Sequence, residues 1–319
     1  MFSIREDKLL EICYLNGKRW KGTGYNYNGQ KIYEIKYGSG KVKEYNFYGE
    51  LKFEGEYLSG RKNGKGKEYN HKEKIIYEGE YLNGKRNGKG KEYYDNSKIM
   101  FEGEYQYNKK WNGIFYSNEG NKSIQFKNGK GKGEEYNYKG KLIYIGEYLN
   151  GERNGKGKEY NKYDGLEYEG EYLHGGRNGK GKNYYDNSKI MFEGEYLNNK
   201  KWNGIFYSYD GNSSFEFKNG KGKGKEYNYN GSSIYEGEFI NGEINGKGKE
   251  YFNGKLIFEG EYQNGKRNGK GKEYNIAFGE LEFEGEFING TRNGKGKEYY
   301  KGKLIYEGEY KNGRIKEQG

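Results

Sequence analysis

The 319-residue chain contains no proline, a single cysteine and only two histidines. One cysteine excludes a disulfide framework within the chain and is typical of a reducing compartment. No stretch approaches the roughly 18 apolar residues of a membrane-spanning helix, and the N-terminus lacks the pattern of a secretory signal. These absences predict an intracellular, cytoplasmic protein.

Side chains suited to catalysis or metal binding are few. His71 and His174 have no Cys or Asp at ligand spacing, and Cys13 is best interpreted as a small apolar residue. Carboxylate pairs such as Glu78 and Glu80 resemble an acid/base site, but they recur beside lysines down the chain, which favours an ion-paired face. The sequence therefore predicts no enzyme, no cofactor and no metal site.

Glycine and lysine alternate in "GKRNGKGK", which raises the question of a phosphate-binding loop. Such a loop needs Gly, four residues, and then Gly-Lys-Ser/Thr between a strand and a helix. Counted from Gly84, the second glycine is due at position 89, which is Lys89, and no Ser or Thr follows. The spacing excludes a phosphate loop, and the recurrence indicates architecture.

The abundant features are 57 glycines, 39 tyrosines and 18% aromatic residues, and they recur at fixed intervals. An aromatic-Glu-Gly-Glu-aromatic motif starts at nine positions: Phe53, Tyr77, Phe101, Tyr168, Phe192, Tyr235, Phe258, Phe283 and Tyr306. Shortened repeats without that motif occupy 33–52, 124–143 and 215–234. The pattern predicts a lead-in at 1–9 and one repeat array over 10–319.

A longer period of 91 residues groups the repeats in fours. The predicted blocks are 10–100, 101–191 and 192–282, followed by a tail at 283–319. Duplication of a four-repeat block is the simplest history. Repeats of this size that contact only their neighbours indicate a solenoid.

Each repeat predicts two short antiparallel strands. In "FEGEY" the period of two places Phe53, Gly55 and Tyr57 on one face and two glutamates on the other. In the next strand, glycines and Glu68 share the first face, and lysines share the second. We therefore expect rings over glycines on one face and Glu–Lys pairs on the other, with "LNGKRNG" as the turn between the strands. The predicted fold is all-β: an elongated, twisted meander of stacked hairpins.

The phrase "YEGEYLNGKRNGKGKEY" resembles the MORN repeat over nearly the whole chain, and it is also similar to bacterial antitoxin-type MORN-like repeats. The resemblance implies hairpins stacked into an extended sheet, and scaffold, docking or membrane-adaptor roles. This chain departs from the family by placing Tyr or Phe, as in Tyr81 and Phe239, where Trp is frequent. Fold transfers across that departure, whereas partner identity does not.

The net charge of +11 is concentrated around the predicted turn between the strands. Stacked repeats would bring these basic residues into a ridge for an anionic ligand, with a solubilising edge as the alternative interpretation. The candidates for the ridge are Arg19, Arg61, Arg86, Lys110, Arg153, Arg177, Lys201, Arg267 and Arg292.

Tryptophan marks the 91-residue period, since Trp20, Trp111 and Trp202 are its only copies. After the last two, "NGIFYS" replaces "NGKGKEY". One interpretation is a series of apolar docking sites for a partner, and the other is that these side chains fill space left by the shortened repeat. The candidate docking residues are Trp20, Trp111, Ile114, Phe115, Trp202, Ile205 and Phe206.

Three functions stay open on the sequence. The leading one is a non-enzymatic scaffold that docks protein partners, with self-association through sheet ends or faces. The second is a peripheral membrane or phosphoinositide adaptor, which would place the protein at a membrane or the cytoskeleton. The third is an antitoxin-like inhibitor of a partner. Nucleic acid is disfavoured as a partner because no nucleic-acid-binding module is present.

Overall fold

A computed structural model describes the backbone of residues 10–15, 18–25, 31–46 and 48–316, and the side chains of 21–23, 34–46 and 48–316. The chain divides into two compact units, an N-terminal unit of residues 1–155 and a C-terminal unit of residues 156–319. Over the described residues the fold is all-β and contains no helix, as the sequence predicts.

The strands follow one another along the chain. The first thirteen are β1 (Leu10–Leu15), β2 (Lys18–Tyr25), β3 (Lys31–Ile35), β4 (Gly40–Tyr45), β5 (Leu51–Leu58), β6 (Arg61–Tyr69), β7 (Ile75–Leu82), β8 (Lys85–Tyr93), β9 (Ile99–Gln106), β10 (Lys109–Tyr116), β11 (Lys122–Phe126), β12 (Gly131–Tyr136) and β13 (Leu142–Leu149). Strand β14 (Glu152–Tyr160) contains the boundary between the units.

The remaining strands lie in the C-terminal unit. They are β15 (Leu166–Leu173), β16 (Gly176–Tyr184), β17 (Ile190–Leu197), β18 (Lys200–Tyr207), β19 (Ser214–Phe217), β20 (Gly222–Tyr227), β21 (Ser233–Ile240), β22 (Glu243–Phe252), β23 (Lys255–Gln263), β24 (Lys266–Tyr274), β25 (Leu281–Ile288), β26 (Thr291–Tyr300), β27 (Lys303–Lys311) and β28 (Arg314–Ile315). Within the described residues the strands form four antiparallel meander sheets, each with its strands in sequence order. Stacked β-hairpin repeats are therefore confirmed.

The hairpin turn is shorter than the sequence predicts. Leu82 pairs with Lys85, so only Asn83 and Gly84 form the loop, both at positive φ (52° and 87°). Asn-Gly suits a two-residue turn of this kind because both residues tolerate a left-handed backbone. The second Asn-Gly of "LNGKRNG" lies instead in a β-bulge of the following strand, between the pairs Tyr81–Arg86 and Gly79–Gly90.

The two predicted faces are confirmed. One, here called the aromatic face, carries rings that contact each other edge to face: Phe53–Tyr81 at 5.4 Å and Tyr77–Tyr105 at 5.3 Å between centroids. Phe53 and Tyr77 are fully buried. The other, here called the charged face, pairs Glu54 with Lys67 and continues in alternation across the sheet.

Glycines lie side by side across neighbouring strands and form a row beneath the rings. In the N-terminal unit this glycine row is Gly55, Gly66, Gly79, Gly90, Gly103 and Gly113. A Cβ at Gly90 would lie 2.5 Å from the hydroxyl oxygen of Tyr77, and one at Gly66 would lie 2.6 Å from the ring of Phe53. The rings therefore require glycine beneath them, which explains the strict spacing.

The shortened repeats interrupt the ladder. At each, a single bridge links two sheets: Lys36–Ser39, Lys127–Lys130 and Lys218–Lys221, 91 residues apart. At the second interruption the N–H of Asp95 donates to the carbonyl of Tyr138 at 2.9 Å. The turns that hold these two residues are four strand spacings apart, about 19 Å on a flat sheet. The sheet therefore bends sharply at that shortened repeat.

Candidate docking surfaces

A groove runs across the charged face of the N-terminal unit. Its floor is the backbone of the glycine row, and its walls are the side chains on either side of each glycine. The volume is about 980 Å³. This N-terminal groove is lined by Lys41, Val42, Lys43, Glu54, Gly55, Glu56, Lys65, Gly66, Lys67, Glu78, Gly79, Glu80, Lys89, Gly90, Lys91, Glu102, Gly103 and Glu104.

Charges of opposite sign alternate along one wall. The register places Glu54, Lys67, Glu78, Lys91 and Glu102 in a line across five strands. The Nζ of Lys91 lies 2.9 Å from a carboxylate oxygen of Glu102, and Lys67 lies 3.9 Å from Glu78. These side chains are roughly 40% exposed, so they are accessible from solvent.

The opposite wall is held by backbone hydrogen bonds at the bulges. A carboxylate oxygen of Glu80 accepts the N–H of Lys89 at 2.9 Å, and Glu56 accepts that of Lys65 at 3.3 Å. The same glutamate oxygens contact the positive-φ glycines Gly88 and Gly64. Because a carboxylate anchored in this way has few rotamers left, the wall presents a defined pattern of charge.

Tyrosine hydroxyls fix carboxylates of the first wall. The hydroxyl of Tyr69 donates to Glu54 at 2.7 Å, and this bond, with the nearby Lys43, lowers the pKa of Glu54 below its ordinary value despite partial burial. Burial and the same bond raise the pKa of Tyr69. Glu54 is therefore anionic at neutral pH, and the wall keeps its alternating sign.

The C-terminal unit carries an equivalent groove of about 780 Å³. Its floor belongs to the row Gly224, Gly237, Gly248, Gly260, Gly271, Gly285, Gly296 and Gly308. Lys225 lies 3.3 Å from Glu236 and Lys249 lies 3.6 Å from Glu259. The charge pattern of the groove is thus a property of the repeat, present in both units.

Trp111 and Trp202, two of the candidate docking residues, pack against turns of the shortened repeats. The ring of Trp111 packs over Gly129 in the turn of the shortened repeat, and the Gly129 N–H donates to the Trp111 carbonyl at 2.8 Å. Trp202 and Gly220 repeat this arrangement with a 2.7 Å bond. The indoles are half-buried and cover the position where strand pairing is interrupted. The side chain of Trp20 lies outside the described residues.

The neighbours of these tryptophans divide between the faces. Phe115 and Phe206 are buried on the aromatic face, at 2% and 3% exposed. Ile114 pairs with Glu102 on the charged face, and Ile205, which is 40% exposed, pairs with Glu193. An apolar side chain therefore lies opposite a glutamate of the charged face in each unit. Docking of a partner at these residues stays a prediction.

Most of the basic residues that were predicted to form a ridge point into the sheet, toward the aromatic face. Arg86 turns inward: its guanidinium lies 4.0 Å from the centroid of the Tyr77 ring and 2.5 Å from Glu68, and it also contacts Glu92. Seven of the nine candidates share this position, with side chains between 15% and 24% exposed: Arg86, Lys110, Arg153, Arg177, Lys201, Arg267 and Arg292. Glutamates in the same sheet match the charges of six of them, and Glu226 of the next sheet matches that of Lys201.

The short hairpin turn explains why Arg86 points inward. Since the loop ends at Gly84, Lys85 and Arg86 are the first two residues of β8, and the alternation of a strand directs the second toward the aromatic face. At Arg61 the order is reversed: Arg61 is exposed and Lys62 lies inward, 3.9 Å from the Phe53 ring. The side chain of Arg19 lies outside the described residues. Binding of lipid or another anion stays a prediction.

The sequence did not predict the glutamates that form ion pairs with these inward basic residues. Burial by itself raises the pKa of Glu68, but Arg86 opposes it and the pKa falls below its ordinary value. Glu92, which is 4% exposed, behaves in the same way between Lys110 and Arg86. A signal existed, because Glu68–Arg86, Glu135–Arg153 and Glu159–Arg177 all have a spacing of 18 residues.

Within the residues that the structure describes, no group of three or more His, Cys, Asp or Glu side chains is arranged to hold a metal ion. Over the same part of the chain, no helix has the length and apolarity needed to cross a membrane.

Comparison with known proteins gives a family but no individual relative. The MORN repeat model matches seven segments: 53–70, 77–98, 144–164, 235–255, 258–275, 283–303 and 306–319. No curated protein matches the chain. The MORN family consists in general of non-enzymatic modules that interact with proteins or membranes, which is consistent with a scaffold.

Solved structures show only a distant likeness. An alternansucrase in complex with isomaltononaose is 12% identical with a TM-score of 0.18, over 86% of this chain and 18% of that one. The TcdB2-TccC3-Cdc42 structure is 12% identical with a TM-score of 0.17, over 92% of this chain and 17% of that one. The chain thus spans less than a fifth of either, and no conclusion follows from scores this low. The seven matched segments and the stacked hairpins together identify the chain as a MORN repeat protein.

Proposed function

We propose that this chain is a non-catalytic scaffold whose charged-face grooves dock a helical protein segment bearing charges of both signs. The observation that carries the proposal is the alternation of Glu54, Lys67, Glu78, Lys91 and Glu102 along one wall. A wall of one sign would favour a uniformly charged ligand. An alternating wall favours a partner whose own charges alternate in register with it.

The spacing of the wall supports a helix. Strands lie about 4.8 Å apart, so charges of one sign recur about every 9.6 Å. On an α-helix, residues seven apart lie on one face and are separated by about 10.5 Å. A helix with acidic and basic side chains at such intervals meets each lysine with a carboxylate and each glutamate with a cation. Electrostatic matching of this kind selects partners more than it adds affinity.

An inverted wall tests the proposal. Exchanging the pair Lys91→Glu with Glu102→Lys keeps an internal ion pair but reverses the charges that a partner meets. The control is the same exchange at Glu309 and Lys316, an exposed pair 2.6 Å apart that does not line either groove. We expect affinity capture from the native source to lose its partners with the first exchange and retain them with the second.

Thermal unfolding of both proteins separates docking from folding. Since exposed pairs contribute about 0–1 kcal/mol, neither exchange should change the melting temperature by more than a few degrees. Retention of the same partners by the inverted wall, at the same salt concentration, would show that the groove is not the docking surface.

A further inference from the structure

Three glutamates occupy the same place in the three shortened repeats: Glu44, Glu135 and Glu226, 91 residues apart. The first two are each held by a tyrosine and a cation. The Tyr57 hydroxyl donates to Glu44 at 2.5 Å and Lys62 lies 3.6 Å away. At Glu135 the corresponding groups are Tyr148 and Arg153.

The Glu135 carboxylate is closely surrounded. The Tyr148 hydroxyl donates to it at 2.7 Å, and Arg153 donates from Nε at 3.0 Å and from a terminal nitrogen at 2.8 Å. The guanidinium of Arg153 also lies 4.3 Å from the centroid of the Tyr144 ring. The arginine side chain thus fills the space beside the carboxylate.

The third copy has lost both partners. Phe239 stands where Tyr148 does, so no hydroxyl is present, and Ile244 stands where Arg153 does, so no guanidinium is present. Glu226 contacts the Nζ of Lys201 instead, at 3.4 Å. A carboxylate that accepts three short hydrogen bonds in one unit is therefore left with one long contact in the other.

A cavity of about 290 Å³ lies at this place. Phe206, Phe217 and Phe239, each between 2% and 4% exposed, form its apolar wall, and Ile244 completes it. Lys201 of one sheet and Glu226 of the next are the charged groups that face it, and Glu243 lies at its rim, 2.7 Å from Lys200. The other lining residues are Gly242, Asn264 and Gly265.

The chemistry of the walls defines the occupant. An apolar cavity of about 150 Å³ holds benzene, so this one has room for a substituted single ring. Lys201 and Glu226 balance each other, so a charged ligand would leave an uncompensated charge in an apolar site, whereas a neutral one would not. The groups missing from Glu226 are hydrogen-bond donors, one of them a phenol hydroxyl.

We propose that this cavity is a binding site for a neutral phenol, with the ring among Phe206, Phe217 and Phe239 and the hydroxyl between Glu226 and Lys201. The hydroxyl donates to the carboxylate, as the hydroxyls of Tyr57 and Tyr148 do in the other copies, and it accepts from the ammonium. Burial lowers the pKa of Lys201, against the opposing effect of Glu226, and a bound hydroxyl oxygen offers this amine a hydrogen bond. The site is independent of the groove and of the proposed docking function.

Titration of the full chain with p-cresol, followed by calorimetry or by chemical shifts of the phenylalanine rings, tests the proposal. We expect binding of p-cresol to be about tenfold tighter than that of toluene, because a hydrogen bond to a charged group contributes about 1.5 kcal/mol. Equal binding of the two would remove the role of Glu226. N-acetyltyrosinamide distinguishes a free phenol from the tyrosine of a partner. Tighter binding of either phenol supports the site, and binding of neither overturns it.

Two variants place the binding in the cavity. Ile244→Arg restores the side chain that fills the equivalent space in the N-terminal unit and should abolish binding. Ile240→Arg, the same change at a 38% exposed position nearby, should leave binding unaltered. If Ile244→Arg fails to fold, Phe239→Tyr supplies an internal hydroxyl to Glu226 and should weaken p-cresol at least about tenfold. Unchanged binding in a folded Ile244→Arg protein contradicts the proposal.

Discussion

Two partly buried clusters of charged residues, 91 residues apart, differ at two positions. In the N-terminal unit Glu92, Lys110, Glu135 and Arg153 are all charged, and the Nζ of Lys110 lies 2.7 Å from Glu92. In the C-terminal unit the corresponding residues are Asn183, Lys201, Glu226 and Ile244, and Lys201 contacts Glu226 instead. One negative and one positive charge are therefore absent together.

Strand pairing is the same around the two clusters. Gly88 pairs with Tyr105 and Gly90 with Gly103 in one unit, and the equivalent glycines pair in the same register in the other. The backbone pairing is therefore the same with either set of charged side chains, provided that the net charge of the cluster stays balanced. A buried charge without a partner is costly, whereas the loss of a whole pair is tolerated.

Removing one charge of this set without the other should have the largest effect on stability. We expect Glu92→Asn, which copies Asn183, to lower the free energy of unfolding by about 3–5 kcal/mol, because Lys110 and Arg86 lose a buried partner. Adding Arg153→Ile frees Glu135 for Lys110, as in the C-terminal unit, and should recover most of that loss. Urea denaturation of both proteins measures the effect, and a double variant no more stable than the single one would refute the coupling.

A second change should affect both units equally. A Cβ at Gly90 or at Gly181 would lie 2.5 Å or 2.3 Å from the hydroxyl oxygen of Tyr77 or Tyr168. Since each ring is closely packed, Gly90→Ala and Gly181→Ala should each cost about 1–3 kcal/mol by forcing the ring to move. Urea denaturation of the two variants provides the measurement. A large difference between them would mean that the ion clusters also alter the packing below them.

The smallest expected effect is a difference between the two units in the pH at which each unfolds in acid. The pKa of Glu92 in the folded protein lies below its unfolded value of about 4.3, so its contribution is present above that pH and is lost as the pH falls through the folded pKa. Asn183 does not titrate. In proteins that retain only Trp111 or only Trp202, we expect the Trp111 fluorescence to report acid unfolding at the higher pH. Coincident transitions would contradict the assignment.

Most of the fold follows from local pattern. The alternation of "FEGEY" predicts the strand and the faces of Phe53 and Glu54, and the 91-residue period locates the shortened repeats. The turn length was predicted wrongly because "LNGKRNG" contains two Asn-Gly pairs that are equivalent as sequence. Only pairing across the strands shows that Asn83-Gly84 is the loop and that Asn87-Gly88 is the bulge.

The position of the basic residues depends on that choice. A one-residue difference in where a strand begins reverses the face of every side chain in it. The sequence predicts Arg86 in the turn and therefore at an edge, whereas the register directs it over Tyr77. For the same reason the sequence does not predict Glu68 and Glu92 as partners of the basic residues, because that requires the register of the neighbouring strands.

The sequence alone determined the class of fold, the repeat and its period, the two faces, and the need for glycine beneath each ring. These properties depend on residues close along the chain, within one hairpin. Tertiary structure sets the inward position of the arginines, the bend at the second shortened repeat, and the cavity beside Glu226. Each of these joins residues from three or more strands, so each depends on register, twist and the volume of side chains that the one-dimensional pattern does not specify.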